Sequence, residues 1–139
     1  MKVYLAGRMG GLTHEEMNAW RIEASKKLIQ HDIKSINPVD FYNFELDLEE
    51  ISDKEIMDFD LTAVRNSDLV LVNLNDPNTI GTAIEMYECK RLNIPVVTYV
   101  DDDKYDNIHP WMKECVTKWC QDLDIAVDYI VSFYKLIFE

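Results

Sequence analysis

Two carboxylic acids stand at positions where their chemistry matters more than their solubility. Glu85 lies near the start of a helix-forming stretch, Thr82 to Leu92, which follows the apolar run Leu69 to Leu74 and a short polar loop. A helix N-terminus carries partial positive charge and favours an ionised carboxylate. At the mouth of a cleft, such a group can attack a sugar C1' and hold the glycosyl group as an ester until a second acceptor arrives. The residues Thr82-Ala83-Ile84-Glu85 also spell a capping box, in which Glu85 only satisfies backbone donors, and on local sequence alone the cap leads. Asp60 is the second acid. On a helix from Ser52 to Asn66 it shares a face with Ile56, Ala63 and Val64. An unpaired buried carboxylate costs on the order of several kcal/mol, so Asp60 on that face requires a hydrogen-bond partner or a polar pocket. A rotated helix, with Asp60 at the solvent edge beside Asp58, fits the pattern equally well.

The loop Gly7-Arg8-Met9-Gly10-Gly11 lets backbone come close to a ligand, because glycine carries no side chain. Its N–H groups precede a helix and suit an oxygen-rich group. The spacing is neither GxGxxG nor GxxxxGK[ST], which excludes dinucleotide and P-loop readings. A plain strand-to-helix turn explains the loop as well as a binding role does. Phe41, Tyr42 and Phe44 offer flat faces for a nucleobase, whereas Trp20 has the spacing of a core residue. Asp101-Asp102-Asp103 reads as a solvated loop, and His14, His31 and His109 are scattered, so no metal is expected.

The elements that must position these residues follow from periodicity. Lys2 to Ala6 is a short strand, and Thr13 can cap a helix whose Met17, Trp20, Ala24 and Leu28 share one face. Ile33 to Ile36 is a second strand, ended by Asn37-Pro38, and a polar loop runs on through Asp47. The helix Ser52 to Asn66 leads into Leu69 to Leu74, apolar on both faces as a central parallel strand is. The helix Thr82 to Leu92, the strand Pro95 to Val100 and helices near His109 to Cys120 and Ala126 to Phe138 complete the chain. This order predicts one α/β domain over residues 1–139, a flavodoxin-like doubly wound sheet of four or five parallel strands flanked by helices. In such sheets ligands bind beyond the carboxyl ends of the strands, which directs attention to Gly7 to Leu12, Asn37 to Asp47 and Asn75 to Gly81.

Four separated segments are similar to one known family. VYLAGRMGG, INPVDF, EIMDFDLTAVRNSDLVLVNL and GTAIEM resemble the nucleoside 2-deoxyribosyltransferases, the last standing at the family's Gly-Thr, two residues and catalytic Glu. The resemblance implies that Glu85 attacks C1' and displaces the base. It implies that Tyr4 orients or tunes the Glu85 carboxylate, although a sheet aromatic explains Tyr4 too. Asp60 matches the aspartate that contacts the base, where a proton or hydrogen bond eases departure. Gly7, Met9 and Gly10 belong to the first-strand loop, and Gly81 and Thr82 to the Gly-Thr of the motif. Asn107 and Met112 fall in the region that reaches into a neighbouring subunit's site, although HPWM departs from the usual pattern and Met112 suits a core. Six residues before the glutamate the transferases usually have an aspartate beside the base, and here stands Thr79. The sister deoxynucleotide hydrolases tend to have a serine there that binds a 5'-phosphate, which a threonine hydroxyl can imitate. Those hydrolases usually carry an arginine where this chain has Gly10, with Arg8 two positions earlier. Thr79 also reads simply as a helix-entry residue.

Composition narrows the partners. The 26 acidic against 14 basic residues give a net charge of -12, which repels a polynucleotide backbone or an anionic membrane. No apolar run approaches the roughly 20 residues of a membrane span, and the opening MKVYLAG enters a strand pattern instead of a signal peptide. Cys89, Cys115 and Cys120 read as thiols in helices of a reducing compartment. A cytoplasmic enzyme without cofactor is therefore expected, moving 2-deoxyribose from a 2'-deoxynucleoside to a free nucleobase with retention at C1'. The resemblance adds a homo-oligomer with sites completed by a neighbouring subunit, and a role in nucleoside salvage. Two other readings are an N-glycosidase of 2'-deoxynucleoside 5'-monophosphates and a non-catalytic nucleotide-binding domain in which Glu85 is a helix cap.

Overall fold

The computed structural model describes residues 1–42 and 51–138; Phe44 and the end of the polar loop at Asp47 lie outside them. Five parallel strands form one sheet in the order β2-β1-β3-β4-β5, with β1 Lys2–Ala6, β2 Lys34–Ile36, β3 Leu69–Asn73, β4 Val96–Tyr99 and β5 Lys118–Cys120. The order reverses direction at β1, between β2 on one side and β3 on the other. This is the doubly wound, flavodoxin-like arrangement that the sequence predicts.

Side-chain alternation along the strands divides the core into two layers. Val3, Leu5, Leu69, Leu71 and Val97 face one side, packed on Ala24 and Leu28 of α1 (His14–Ile29) and on Ala126 and Val127 of α5 (Leu123–Tyr129). Tyr4, Ala6, Val70, Val72 and Val96 face the other, against Val64 of α2 (Asp53–Arg65) and Met86 and Cys89 of α3 (Ile80–Leu92). These strand residues are essentially inaccessible to water, and each buried aliphatic contributes about 1.5–3 kcal/mol relative to exposure. The layer to which Tyr4 belongs is the one that holds Asp60 and Glu85.

Helix starts follow local chemistry. Ser52 caps α2 in a full capping box with Glu55, Thr13 caps α1, and Asp122 caps α5 by accepting from the Ile125 N–H at 2.8 Å. Helix α3 ends on Asn93 at φ 57°, a left-handed position that asparagine tolerates. Two expectations about the final third need correction. The stretch His109 to Cys120 is not one helix: α4 covers only Pro110–Lys113, and Lys118–Cys120 is strand β5. Thr117 donates its backbone N–H to the Val96 carbonyl at 2.9 Å and accepts from the Val96 N–H on its hydroxyl at 3.0 Å, so pairing with β4 overrides helical spacing there. The last helix begins earlier than Ala126, at Leu123, and widens into a π-helical turn over Ile130–Tyr134. Of the cysteines, only Cys89 sits in a helix; Cys115 lies in a turn and Cys120 in β5, all three as free thiols. No described helix is long and apolar enough to cross a membrane.

Candidate active site

Three elements bring Tyr4, Asp60 and Glu85 together. Alternation turns Tyr4 of β1 toward α2 and α3, where its ring is buried and its hydroxyl donates toward the Glu85 carboxyl. Asp60 projects from the middle of α2, and the Tyr42 hydroxyl donates to its Oδ1 at 2.6 Å. Between α2 and α3 lies a cleft of about 280 Å³, with Ile56, Met57, Leu61 and Ile84 as its apolar wall, Asp53, Asp60 and Glu85 as its acids, and Gly81 at its α3 end. A few convergent polar groups on an apolar wall are the usual makeup of a small-ligand pocket. The sequence requirement on Asp60 is met twice over, since it has both a partner and a pocket.

Glu85 stands in the second turn of α3, not the first. The helix begins at Ile80 and its cap is Thr79, whose Oγ1 accepts from the Thr82 N–H at 3.5 Å and lies 3.3 Å from the Thr82 hydroxyl. The capping-box reading of Thr82 to Glu85 is therefore overturned, because a threonine one turn upstream takes the cap. Freed from that duty, the Glu85 carboxyl points inward, and its Oε2 is buried with no hydrogen-bond partner. Burial pushes the carboxyl up to about 7; the Tyr4 hydrogen bond and the Arg21 charge hold it down, and the Asp60 charge adds to the rise. Asp60 is raised as well, by burial, against the pull of Tyr42 and Arg21. Two raised carboxyls in one cleft suit a division of labour, one ionised and one carrying a proton.

Other expected site residues are placed less centrally. Gly7 is constrained by close approach: a Cβ there would sit 3.0 Å from the Trp20 ring and 3.5 Å from the Arg21 guanidinium. Met9 is half-buried and Gly10 exposed, and neither lines the cleft. Arg8 ties its loop to the one after β3 through an ion pair with Asp76 at 2.6 Å. Thr82 is buried. Asn107 is exposed at the end of a 3-10 turn, and Met112 packs in the core behind α3. Within one chain neither reaches the cleft. Phe41 and Tyr42 pack edge-on against Phe59, with ring centres 5.2 and 6.4 Å apart, forming an aromatic group beside Asp60.

Sequence reasoning missed two residues. Tyr42 was visible as an aromatic but not as the partner of Asp60. Arg21 is fully buried, donating to the carbonyls of Leu5 at 3.3 Å, Gly7 at 2.9 Å and Met17, with its guanidinium 4.8 Å from the Trp20 ring centre. Its spacing was a signal. Arg21, Ala24 and Leu28 lie on one apolar stripe, four residues after Met17.

Solved structures resemble the fold throughout its length. A conserved protein from Enterococcus faecalis superposes with TM-score 0.78 at 19% identity, covering 94% of this chain and 97% of its own. A 2-deoxyribosyltransferase from Bacillus psychrosaccharolyticus gives 0.76 at 19% identity, covering 98% and 96%. A CMP N-glycosidase from Clostridium botulinum gives 0.61 at 15% identity, covering 96% and 100%. Among curated proteins none matches the sequence. The family model for nucleoside 2-deoxyribosyltransferase matches residues 3–126, a span that contains every residue lining the cleft, and the chain belongs to that family.

Proposed function

We propose that this chain transfers 2-deoxyribose between nucleobases, with Glu85 as the nucleophile. Its family is one of enzymes acting on nucleoside N-glycosidic bonds. The observation that carries the finer reading is the Glu85 carboxyl itself, with one oxygen buried and unpartnered, held near Tyr4 and sharing its cleft with Asp60. In the first step a Glu85 oxygen bonds to C1' as the C1'–N bond breaks. The electron pair of that bond leaves with the base, which takes a proton from Asp60 and departs neutral. In the second step a nitrogen of the incoming base bonds to C1', its proton passes to Asp60, and Glu85 leaves as carboxylate. Two inversions give retention. Water competes slowly as acceptor, and no cofactor takes part.

The assembly belongs to the same proposal. Asn107 and Met112 lie away from their own cleft, and beside Met112 runs an apolar groove of about 530 Å³ carrying Tyr87 and Trp111, the latter 80% exposed. This supports a homo-oligomer in which that segment completes a neighbour's site, and we place its work in nucleoside salvage in the cytoplasm. One observation favours a second reading, hydrolysis of 2'-deoxynucleoside 5'-monophosphates: Thr79 presents a hydroxyl at the start of α3, where a phosphate is favoured.

Incubation with thymidine plus adenine, and separately with thymidine 5'-monophosphate, tests both by chromatography. Deoxyadenosine from the first mixture is expected. Thymine and deoxyribose 5-phosphate from the second alone would replace transfer by hydrolysis. Glu85→Gln should lower kcat by about 10³-fold or more in either case, with an unchanged circular-dichroism spectrum, since Thr79 and not Glu85 caps α3. Full activity in that variant removes Glu85 from the chemistry.

A further inference from the structure

The reaction leaves Arg21 without a part, although among the described residues no other charged side chain is so completely enclosed. Its surroundings are unusual for a buried cation. No carboxylate among the described residues pairs with it directly, and its three hydrogen bonds all go to backbone carbonyls, those of Leu5, Met17 and Gly7. A buried charge is normally paired, because removal from water is expensive. Neutral donors would satisfy the same carbonyls more cheaply. What a neutral side chain cannot supply is positive charge behind the acids of the cleft.

The groups that face Glu85 come from every surrounding element. Tyr4 stands on β1, Asp60 on α2, Tyr42 ahead of α2, and Cys89 one turn along α3; all are neutral or acidic. Among the described residues Arg21, from α1, is the one cation whose charge lowers the Glu85 carboxyl. It also holds the carbonyl of Leu5, next in β1 to Tyr4, and that of Gly7, where the strand leaves the sheet.

We infer that Arg21 is a positioning residue of the active site: it clamps the end of β1 that carries Tyr4, and its unpaired charge keeps the Glu85 carboxylate available for attack. The inference rests on the reading of Glu85 as nucleophile. It does not require that Arg21 touch the substrate.

The test compares Arg21→Lys, which keeps the charge, with Arg21→Gln and Arg21→Met, which do not. Two quantities are followed: the acid limb of the kcat/KM pH profile, and the Glu85 carboxyl titration by carbon-13 NMR, assigned through Glu85→Gln. Loss of a nearby opposite charge should raise both midpoints by about one pH unit in the Gln and Met variants. The Lys variant should stay close to wild type in both. All three are expected to lose thermal stability, so Tm alone says nothing about the charge. Should the Met variant fail to fold, the Gln variant, which retains donors for the carbonyls, carries the same comparison. Equal midpoints in Lys and Gln variants would overturn the inference. The NMR titration needs no turnover, so a protein with neither transferase nor hydrolase activity would remove the nucleophile reading while the titration still decides what Arg21 does to Glu85.

Discussion

Glu85 and Glu88 stand three residues apart on the same helix, and the fold treats them in opposite ways. Glu88 is nearly buried, yet every oxygen is spoken for: Arg65 of α2 donates to Oε1 at 2.9 Å, and Arg91 donates to Oε1 at 2.7 Å and Oε2 at 3.1 Å. These bonds, Arg91 first and Arg65 second, hold its carboxyl down to about 2. Glu85 has an oxygen with no partner and is pushed up to about 7. One residue type on one helix thus serves two ends. Where arginines surround the carboxylate it joins α2 to α3, and where tyrosine and a second acid surround it one oxygen is left without a partner, as the proposed role of nucleophile requires. Structural carboxylates are saturated with donors; a nucleophile has to be spared some of them.

Asp60 shares the cleft with Glu85 and is the proposed source of the proton. Asp60→Asn should cut kcat by about 10²-fold or more, the usual contribution of a general acid. The loss should be far smaller for 7-methyl-2'-deoxyguanosine, whose base already carries positive charge and leaves without a proton. Equal losses on both substrates would show that Asp60 binds the base and does not protonate it.

Stability should report the same division. The folded value of Glu85, about 7, lies above the ordinary 4.5, so between those pH values the folded chain holds a proton that the unfolded chain has released. Its contribution is complete below 4.5 and lost as pH rises through 7. That loss amounts to up to about 3 kcal/mol, at 1.36 kcal/mol per pH unit of difference. Glutamine cannot ionise. Urea unfolding should therefore find Glu85→Gln more stable than wild type at pH 8, with the gain shrinking toward pH 5. A constant difference across that range would mean that Glu85 is not desolvated as its burial indicates.

Glu88 should behave in the reverse sense. Its depressed carboxyl, about 2 against the ordinary 4.5, contributes stability that is present above 4.5 and fades as pH falls toward 2. Glu88→Gln should lower Tm at pH 7, and the gap to wild type should close on acidification through that window. Turnover should be unaffected, because Glu88 does not line the cleft. A variant that kept its Tm and lost activity would erase the distinction between the two glutamates.

How much of this was legible beforehand differed with the range of the interactions. The doubly wound parallel sheet was read from the alternation of strands and helices and from local apolar runs such as Leu69 to Leu74, whose strand is buried on both faces. Strand β5 was missed because Lys118–Cys120 is only three residues long and is held by pairing to β4. The cap of α3 was misplaced because Thr79 and Thr82 compete for one role, and the sequence does not say which threonine precedes the first turn. The true capping box, Ser52 to Glu55, has the same pattern and was passed over. Asp60 drew attention as an acid on an apolar helix face, whereas Glu85 was singled out only by the resemblance of GTAIEM to the family motif, its local pattern favouring a cap. Arg21 was assigned no role, and Tyr42 was read as a base-facing aromatic but not as the partner of Asp60, since each acts on a group 14 to 18 residues away in sequence. Only folding makes them neighbours.

The smallest effect concerns that cap, and it also bears on what the cleft accepts. Thr79→Ala removes the hydroxyl that receives the Thr82 N–H, but at 3.5 Å this bond is long, so the loss should fall near the low end of the usual range, about 0.5–1 kcal/mol. Thr79→Asp separates the two uses of the position. Aspartate caps helices as well as threonine does, so Tm should hold. Its negative charge, in place of a neutral hydroxyl at the start of α3, should repel a 5'-phosphate and leave an uncharged nucleoside untouched. If transfer between nucleosides is the activity, Thr79→Asp keeps or improves it. If the chain works on monophosphates, kcat/KM for them should fall sharply at unchanged Tm, and the cap position of α3 then selects by charge and not by fit to the base.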